Sequence, residues 1–191
     1  MKNKIQSILA GILIGIGAYA YVSISNLYIG AFIFSLGLIS VFILEAKLFT
    51  GKIGNLNKTN WKEMVEILLF NIVGMLMICL LAAPNEVLRS KCAEITENKM
   101  DKTFFYALVN SIMCGVIIQL AVELKIKDNL LTTILCVMVF ILCGFEHCIA
   151  NIFYYICDGI FTWQAIIYFI IYILGNSIGA IGFKELIKWK L

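Results

Sequence analysis

His147 and Glu146 are the residues of this 191-residue chain whose chemistry stands out, because they lie side by side within a long apolar stretch. His147 is the only histidine in the sequence. Imidazole changes its charge near neutral pH, so His147 is a candidate donor of a hydrogen bond or a proton inside a narrow pore, with buried packing as the alternative. On a helix, the Glu146 side chain would point about 100° away from that of His147. We expect Glu146 to stabilise the chain here by accepting backbone or asparagine hydrogen bonds.

A second charged segment, Glu45-Ala-Lys47-Leu-Phe-Thr50-Gly51, ends an earlier apolar run. Ionisable residues inside a membrane span are costly, so they are expected to face protein or a water-filled cavity. A helix that breaks at membrane depth also presents free N–H groups, which attract anions. Two such segments in one chain predict a pore.

The composition places these residues in a membrane. The chain is 62% hydrophobic and 14% charged, with a mean hydropathy of +0.96 and a net charge of +3, whereas about a quarter of the residues of a soluble domain are charged. So few charges cannot cover the surface of a soluble domain of this length. Secreted, nucleic-acid-binding and disordered proteins are therefore excluded, and lipid is the expected surrounding.

Six apolar runs are long enough to cross a bilayer, and lipid requires each of them to be helical. They are Ile5–Val22, Leu27–Thr50, Val65–Ala83, Phe104–Val122, Leu130–Cys157 and Gly159–Phe183. The second and fifth runs are longer than a simple crossing and carry the charged segments, so we expect both helices to be broken. The polar stretch Pro84–Thr103 is predicted to be a loop.

The lysines predict the orientation, because positive residues resist translocation. They cluster at the two termini and in the second and fourth loops, which lie on one side: Lys2, Lys4, Lys52, Lys58, Lys62, Lys125, Lys127, Lys184, Lys188 and Lys190. The first and fifth loops carry no Lys or Arg, and only the 84–103 loop departs from the pattern. We therefore expect a multi-pass protein of the inner (cytoplasmic) membrane with both termini in the cytoplasm.

The third and sixth runs share a signature, Asn71-Ile-Val-Gly74 and Asn176-Ser-Ile-Gly179. Two three-span repeats, of about residues 1–83 and 104–191 within one channel domain of residues 1–191, would have opposite topology, as in many transporters and channels. The alternative is that these small residues only allow close helix packing. Together with the two charged breaks, the signature predicts an all-α fold of six transmembrane helices in an inverted 3+3 repeat.

The segment Gly144–Asn151, GFEHCIAN, resembles the GFEHSxAN motif of the formate/nitrite transporters, pentameric channels of small monovalent anions. Leu48–Gly51 resembles the family's ELFTGN segment, and Ala10-Gly11, Asn71–Gly74 and Leu174–Gly179 also fall where the family has them. The resemblance covers essentially the whole chain. It implies an aquaporin-like protomer with its own pore and a homopentamer.

The resemblance also implies roles for individual residues. His147 matches the pore histidine, and Thr50 matches a threonine that hydrogen-bonds it and gates the cytoplasmic side. Glu146, Asn151 and Asn176 complete the expected pore or proton-relay set. The apolar constrictions on both sides of the histidine are matched by Phe34, Leu38, Phe49, Ile118 and Phe140. Lys99 matches a vestibule lysine that attracts anions.

This sequence also departs from the family. Glu45 and Lys47 stand where the family has glycine and glutamate, and Gly115 stands where the fourth span has asparagine. The family's long amphipathic N-terminal helix is missing, so the chain resembles a short member. Lys47 is expected to attract anions at the cytoplasmic entrance, or else to pair with Glu45 or a partner elsewhere.

These observations predict a channel or transporter for formate, nitrite or hydrosulfide that is linked to proton movement through His147. An aquaporin-like channel for water, urea or ammonia is the alternative. An enzyme or a metal transporter is disfavoured, because one histidine and no paired His/Asp clusters supply too few groups. The seven cysteines contain no CxxC pair and Cys143, His147 and Cys148 are too few for a metal site, so we expect neither metal nor cofactor.

Overall fold

The computed structural model describes residues 1–125 and 130–189, and within these ranges the chain is helical with no β-strand. The helices are α1 (Lys2–Ser23), α2 (Leu27–Ile43), α3 (Phe49–Lys52), α4 (Trp61–Ala82), α5 (Glu86–Met100), α6 (Phe104–Lys125), α7 (Leu130–Leu142), α8 (Cys148–Asp158) and α9 (Trp163–Lys188). A single 3-10 turn, Ile53–Asn55, follows α3. The prediction of an all-α fold is confirmed. Lys127 and Lys190, which the orientation prediction uses, lie outside the described residues.

Four of these helices, α1, α4, α6 and α9, are long and apolar enough to cross a membrane by themselves. They correspond to the first, third, fourth and sixth predicted spans, with ends shifted by a few residues. Helix α9 begins at Trp163 rather than Gly159 because the Thr162 hydroxyl oxygen accepts the Ala165 N–H at 3.2 Å.

The second and fifth apolar runs are each divided into two helices, α2 with α3 and α7 with α8. Both first halves end in a Schellman motif, in which a residue with left-handed backbone closes the helix. Glu45 (φ 51°) takes this place after α2, and Gly144 (φ 69°) takes it after α7. The Ala46 N–H then bonds the Val41 carbonyl and the Phe145 N–H bonds the Phe140 carbonyl, both at 2.9 Å.

The polar stretch between α4 and α6 is not the predicted loop, because it forms helix α5. Asn85 caps this helix through its side-chain oxygen, which accepts the Leu88 N–H at 3.0 Å. Leu88, Cys92 and Thr96 recur every four residues and are buried on the side that packs against α8. The loop prediction was wrong because this narrow buried stripe lies among charged residues that dominate the composition.

Two helix pairs, α1 with α4 and α6 with α9, pack through glycines at matching positions. A Cβ at Gly11 would overlap the Asn71 carbonyl oxygen, and a Cβ at Gly115 would overlap the Asn176 carbonyl oxygen. Each glycine therefore lets the backbones touch beside one of the two signature asparagines.

A matched pair of glycines in α9 tests this packing. A methyl group at Gly179 would overlap the Ile112 carbonyl oxygen, whereas Gly182 has no atom within 4 Å of its added Cβ. We expect Gly179→Ala to destabilise the protein by about 2 kcal/mol and Gly182→Ala to leave it unchanged or slightly more stable. Thermal unfolding of the detergent-solubilised protein measures both, and equal melting temperatures for the two variants would contradict the packing described.

Candidate pore site

Asn71 organises the first break. This fully buried residue of α4 accepts the Phe49 N–H on its side-chain oxygen at 2.7 Å. Its side-chain nitrogen donates to the Ser7 and Lys47 carbonyls, each at 2.8 Å. Phe49 is the first residue of α3, so Asn71 satisfies one of the orphan N–H groups at the start of that helix.

Asn176 organises the second break in the same way. This fully buried residue of α9 accepts the Cys148 N–H, the first of α8, at 2.9 Å. Its side-chain nitrogen donates to the Ser111 carbonyl at 2.8 Å and to the Glu146 carbonyl at 2.7 Å. The two asparagines therefore make matching sets of three hydrogen bonds.

The residues before the two short helices match as well. The Lys47 N–H donates to the Gln6 carbonyl of α1 at 3.1 Å, and the Glu146 N–H donates to the Asn110 carbonyl of α6 at 3.3 Å. Both residues also offer their carbonyl oxygen to an asparagine side chain. Lys47 in the first break is therefore the structural counterpart of Glu146 in the second.

Thr50 and His147 join the two breaks. The Thr50 Oγ1 lies 2.9 Å from His147 Nε2, and both side chains are buried. His147 also caps α8, because its Nδ1 accepts the Ala150 N–H at 3.1 Å. A backbone N–H can only donate, so Nδ1 is the unprotonated nitrogen here, and Nε2 carries the proton and donates it to Thr50.

Glu146 is the acceptor of a buried network beside His147. Its Oε2 accepts the Lys99 ammonium at 2.5 Å and the Asn151 side-chain N–H at 2.7 Å. The Glu146 side chain is 5% exposed and that of Lys99 16%. Lys99, which was expected to attract anions from a vestibule, thus has its charge compensated by a carboxylate that would be costly to leave unpaired.

The predicted constriction residues are all buried among the pore elements: Phe34, Leu38, Phe49, Ile118 and Phe140. Phe34 meets Phe140 edge to face with ring centroids 5.5 Å apart. The Phe140 ring centroid lies 5.8 Å from that of His147. The histidine therefore has an apolar aromatic wall on one side.

One cavity, the α5 cavity, opens beside His147 and has a volume of about 240 Å³. Its lining includes His147, Glu146, Lys99, Asn151 and Phe140. Helix α5 covers it and supplies Lys99. The α5 cavity therefore brings the polar network and the histidine to one accessible space.

A second cavity, the Lys47 cavity, has a volume of about 370 Å³ and shares no lining residue with the α5 cavity. Its lining includes Lys47, Lys125, Leu48 and Gly51. Gly51, which directly follows Thr50, lines the Lys47 cavity, whereas His147 lines the α5 cavity. The Thr50–His147 contact therefore lies between the two cavities.

Lys47 pairs with Glu63 and not with Glu45, the carboxylate closest to it in sequence. Its ammonium lies 2.7 Å from Glu63 Oε1, in the first turn of α4, and Glu45 lies exposed at the mouth of the cavity. Of the two pairing alternatives for Lys47, the structure contains the partner elsewhere in the chain.

The two asparagines carry more of the site than sequence reasoning assigned to them. The spacing of Asn71 to Gly74 and of Asn176 to Gly179 indicated a repeat but not the three hydrogen bonds at each break. The contribution of Lys125 to the Lys47 cavity was also missed, because it depends on how α6 packs. Within residues 1–125 and 130–189, no three His, Cys, Asp or Glu side chains form a group that could hold a metal ion.

Asn176→Asp tests the hydrogen-bonding role. The substitution keeps the shape but replaces a donor that faces the Ser111 and Glu146 carbonyls with an acceptor. We expect a loss of stability of about 3 kcal/mol or more, because buried carbonyls lose their partner and a charge is buried. Asn55→Asp, at an exposed position, is the matched control. A melting temperature for Asn176→Asp equal to that of the control would refute this role.

The chain is similar to known transporters and channels. A family model described as "Formate/nitrite transporter" matches residues 1–190. An uncharacterised transporter, YrhG of Bacillus subtilis, is 30% identical, with 86% of this chain and 71% of that protein covered. The formate channel FocA of Haemophilus influenzae is 29% identical over 65% of this chain, and the match spans about half (51%) of that relative.

Solved structures agree. A pentameric formate channel with formate bound superposes with a TM-score of 0.86 at 27% identity and covers 99% of this chain and 96% of that one. An ion channel of the FNT family superposes with a TM-score of 0.84 at 20% identity, over 98% of this chain and 88% of that one. The match of the family model over almost the whole length decides the assignment: this chain belongs to the formate/nitrite transporter family.

Proposed function

We propose that this protein is a membrane channel or transporter for small monovalent anions of the formate, nitrite or hydrosulfide class, with passage linked to a proton at His147. The observation that carries the proposal is the buried Thr50–His147 contact between two lysine-lined cavities. The formate channels among its relatives and structural neighbours support the substrate class.

The proposed architecture is six membrane spans in an aquaporin-like inverted 3+3 repeat within a single domain of residues 1–191. The spans are α1, α2 with α3, α4, α6, α7 with α8, and α9. The matching hydrogen bonds of Asn71 and Asn176 support repeats of about residues 1–83 and 104–191. Because each repeat has an odd number of spans, the repeats have opposite orientation.

The proposed setting is the inner membrane, with both termini in the cytoplasm and the protomer in a homopentamer. The lysine distribution supports the orientation. The pentameric formate channel that superposes on this chain supports the assembly. In this orientation the α5 cavity faces away from the cytoplasm and the Lys47 cavity faces towards it.

The physical problem is the loss of hydration at the apolar constriction. An anion that sheds its water pays several kcal/mol or more unless protein groups replace that water. Lys99 and Lys47 bring ammonium N–H donors to the two cavities. Glu146 holds Lys99 in place, and Asn151 holds Glu146. His147 offers its Nε2–H to the anion in place of Thr50.

The proton enters with the anion. A negative charge beside the imidazole stabilises its cationic form, so an arriving anion brings a proton onto the ring. Protonation of Nδ1 requires the hydrogen bond from Ala150 to open, because that N–H occupies the nitrogen in the resting state. Transfer of the Nε2 proton to the anion then gives a neutral acid, which crosses the aromatic constriction at much lower cost.

Two substitutions at His147 separate hydrogen bonding from proton transfer. His147→Phe removes both, and we expect formate uptake into proteoliposomes to fall about tenfold or more, as for one lost charged hydrogen bond. His147→Asn keeps an N–H donor but cannot titrate, so uptake survives in part and loses its dependence on pH. Labelled formate uptake at several pH values measures both effects.

The control is Ser23→Ala, at the exposed end of α1, which should behave as the wild type. Unchanged, pH-dependent uptake by His147→Phe would overturn the proposal. Stopped-flow measurements with water, urea and ammonia test the alternative, since a channel for neutral solutes would conduct these and exclude formate.

A further inference from the structure

The two breaks carry ion pairs at equivalent positions but with opposite polarity. Lys47 is the structural counterpart of Glu146, as their matching backbone hydrogen bonds show. Glu146 pairs with a lysine supplied by α5, and Lys47 pairs with a carboxylate supplied by α4. The first repeat therefore places an ammonium group where the second places a carboxylate.

This reversal changes which charge each cavity displays. Both members of the Lys99–Glu146 pair line the α5 cavity, so the pair contributes no net charge there. Lys47 lines its cavity but its partner Glu63 does not. The Lys47 ammonium group therefore lies at the cavity wall, and the carboxylate that pairs with it lies behind the wall.

Further charges add to this effect. Lys52 and Lys125 also line the Lys47 cavity, and exposed Glu45 is the one carboxylate that the described part of the chain contributes to its lining. The Lys125 ammonium donates to the Phe42 carbonyl at 2.6 Å, which fixes it at the cavity wall. The described residues thus give this lining three ammonium groups and one carboxylate.

Lys47 and Lys125 have more N–H donors than they use in hydrogen bonds to the described residues. A lysine ammonium has three N–H donors. Among the described residues, Lys47 directs one of them to Glu63 and Lys125 directs one to Phe42, which leaves two N–H groups on each for a ligand. Gln6, half-buried in the same wall, adds a neutral side-chain amide. The cavity has room for a small anion and part of its water shell.

We propose that the Lys47 cavity is a binding subsite for a small monovalent oxyanion, held between Lys47 and Lys125, on the opposite side of the Thr50–His147 contact from the α5 cavity. The inference rests on the proposed function and deepens it. It makes the two entrances unequal in their lysines: Lys47, Lys52 and Lys125 line the Lys47 cavity, whereas Lys102 and the Lys99 that is paired with Glu146 line the α5 cavity.

The first experiment locates the subsite. Crystals of the full-length protein are soaked in bromide, whose anomalous scattering marks its position. We expect a bromide peak between the Lys47 and Lys125 ammonium groups that is lost in Lys47→Glu. The proposal is overturned if the Lys47 cavity holds no peak, or if the peak persists in that variant.

The second experiment measures formate affinity by NMR titration of the detergent-solubilised protein. We expect Lys47→Gln and Lys125→Gln each to weaken binding about tenfold, the equivalent of one lost charge-assisted hydrogen bond. Glu45→Gln, which removes the opposing carboxylate, strengthens it. The control is Lys62→Gln, on exposed α4 surface outside both cavities.

The variants separate failure of the subsite from failure of the proposed function. His147→Phe should lose formate uptake but keep the bromide peak at Lys47. Wild-type formate affinity in both Lys47→Gln and Lys125→Gln would remove the subsite and leave the His147 mechanism standing. A bromide peak in the wild-type protein and weakened formate binding in the two lysine variants, together with unchanged uptake by His147→Phe, would support the subsite and overturn the His147 mechanism.

Discussion

A helix that stops at membrane depth leaves backbone N–H and carbonyl groups without partners, and lipid supplies none. Asn71 and Asn176 meet this constraint here, because each joins the start of a short helix to the chain before it and to a neighbouring long helix. The glycines at Gly11 and Gly115 bring the long helices close enough for this contact. The positions of Thr50 and His147, at the starts of the two short helices, depend on these two buried amides.

The chemistry of the pore follows from the breaks. Asn71 and Asn176 hold the first residues of α3 and α8, so Thr50 and His147 meet at the N-terminal ends of these two helices. The contact lies between two cavities that share no lining residue among those described. The hydrogen bond from Ala150 fixes which imidazole nitrogen carries the proton. Charge is placed around this contact unevenly, since both members of the Lys99–Glu146 pair line their cavity, whereas of the Lys47–Glu63 pair only Lys47 lines its cavity.

Much of this organisation could be predicted from sequence, because apolar run lengths fix the helical fold and charges inside such runs mark its interruptions. The family motif also indicated that Thr50 and His147 are neighbours. Helix α5 could not be predicted, since its buried stripe of Leu88, Cys92 and Thr96 is hidden among charged residues. The partner of Lys47 could not be predicted either, because Glu63 reaches it only through the packing of α4.

In the proposed mechanism, an anion crosses the apolar constriction only together with a proton. This coupling is tested most directly by following internal pH and labelled formate together in proteoliposomes without a membrane potential. We expect equal numbers of protons and formate ions to enter, and an imposed potential not to drive formate across. Formate entry without internal acidification, or a formate current driven by the potential, would contradict it.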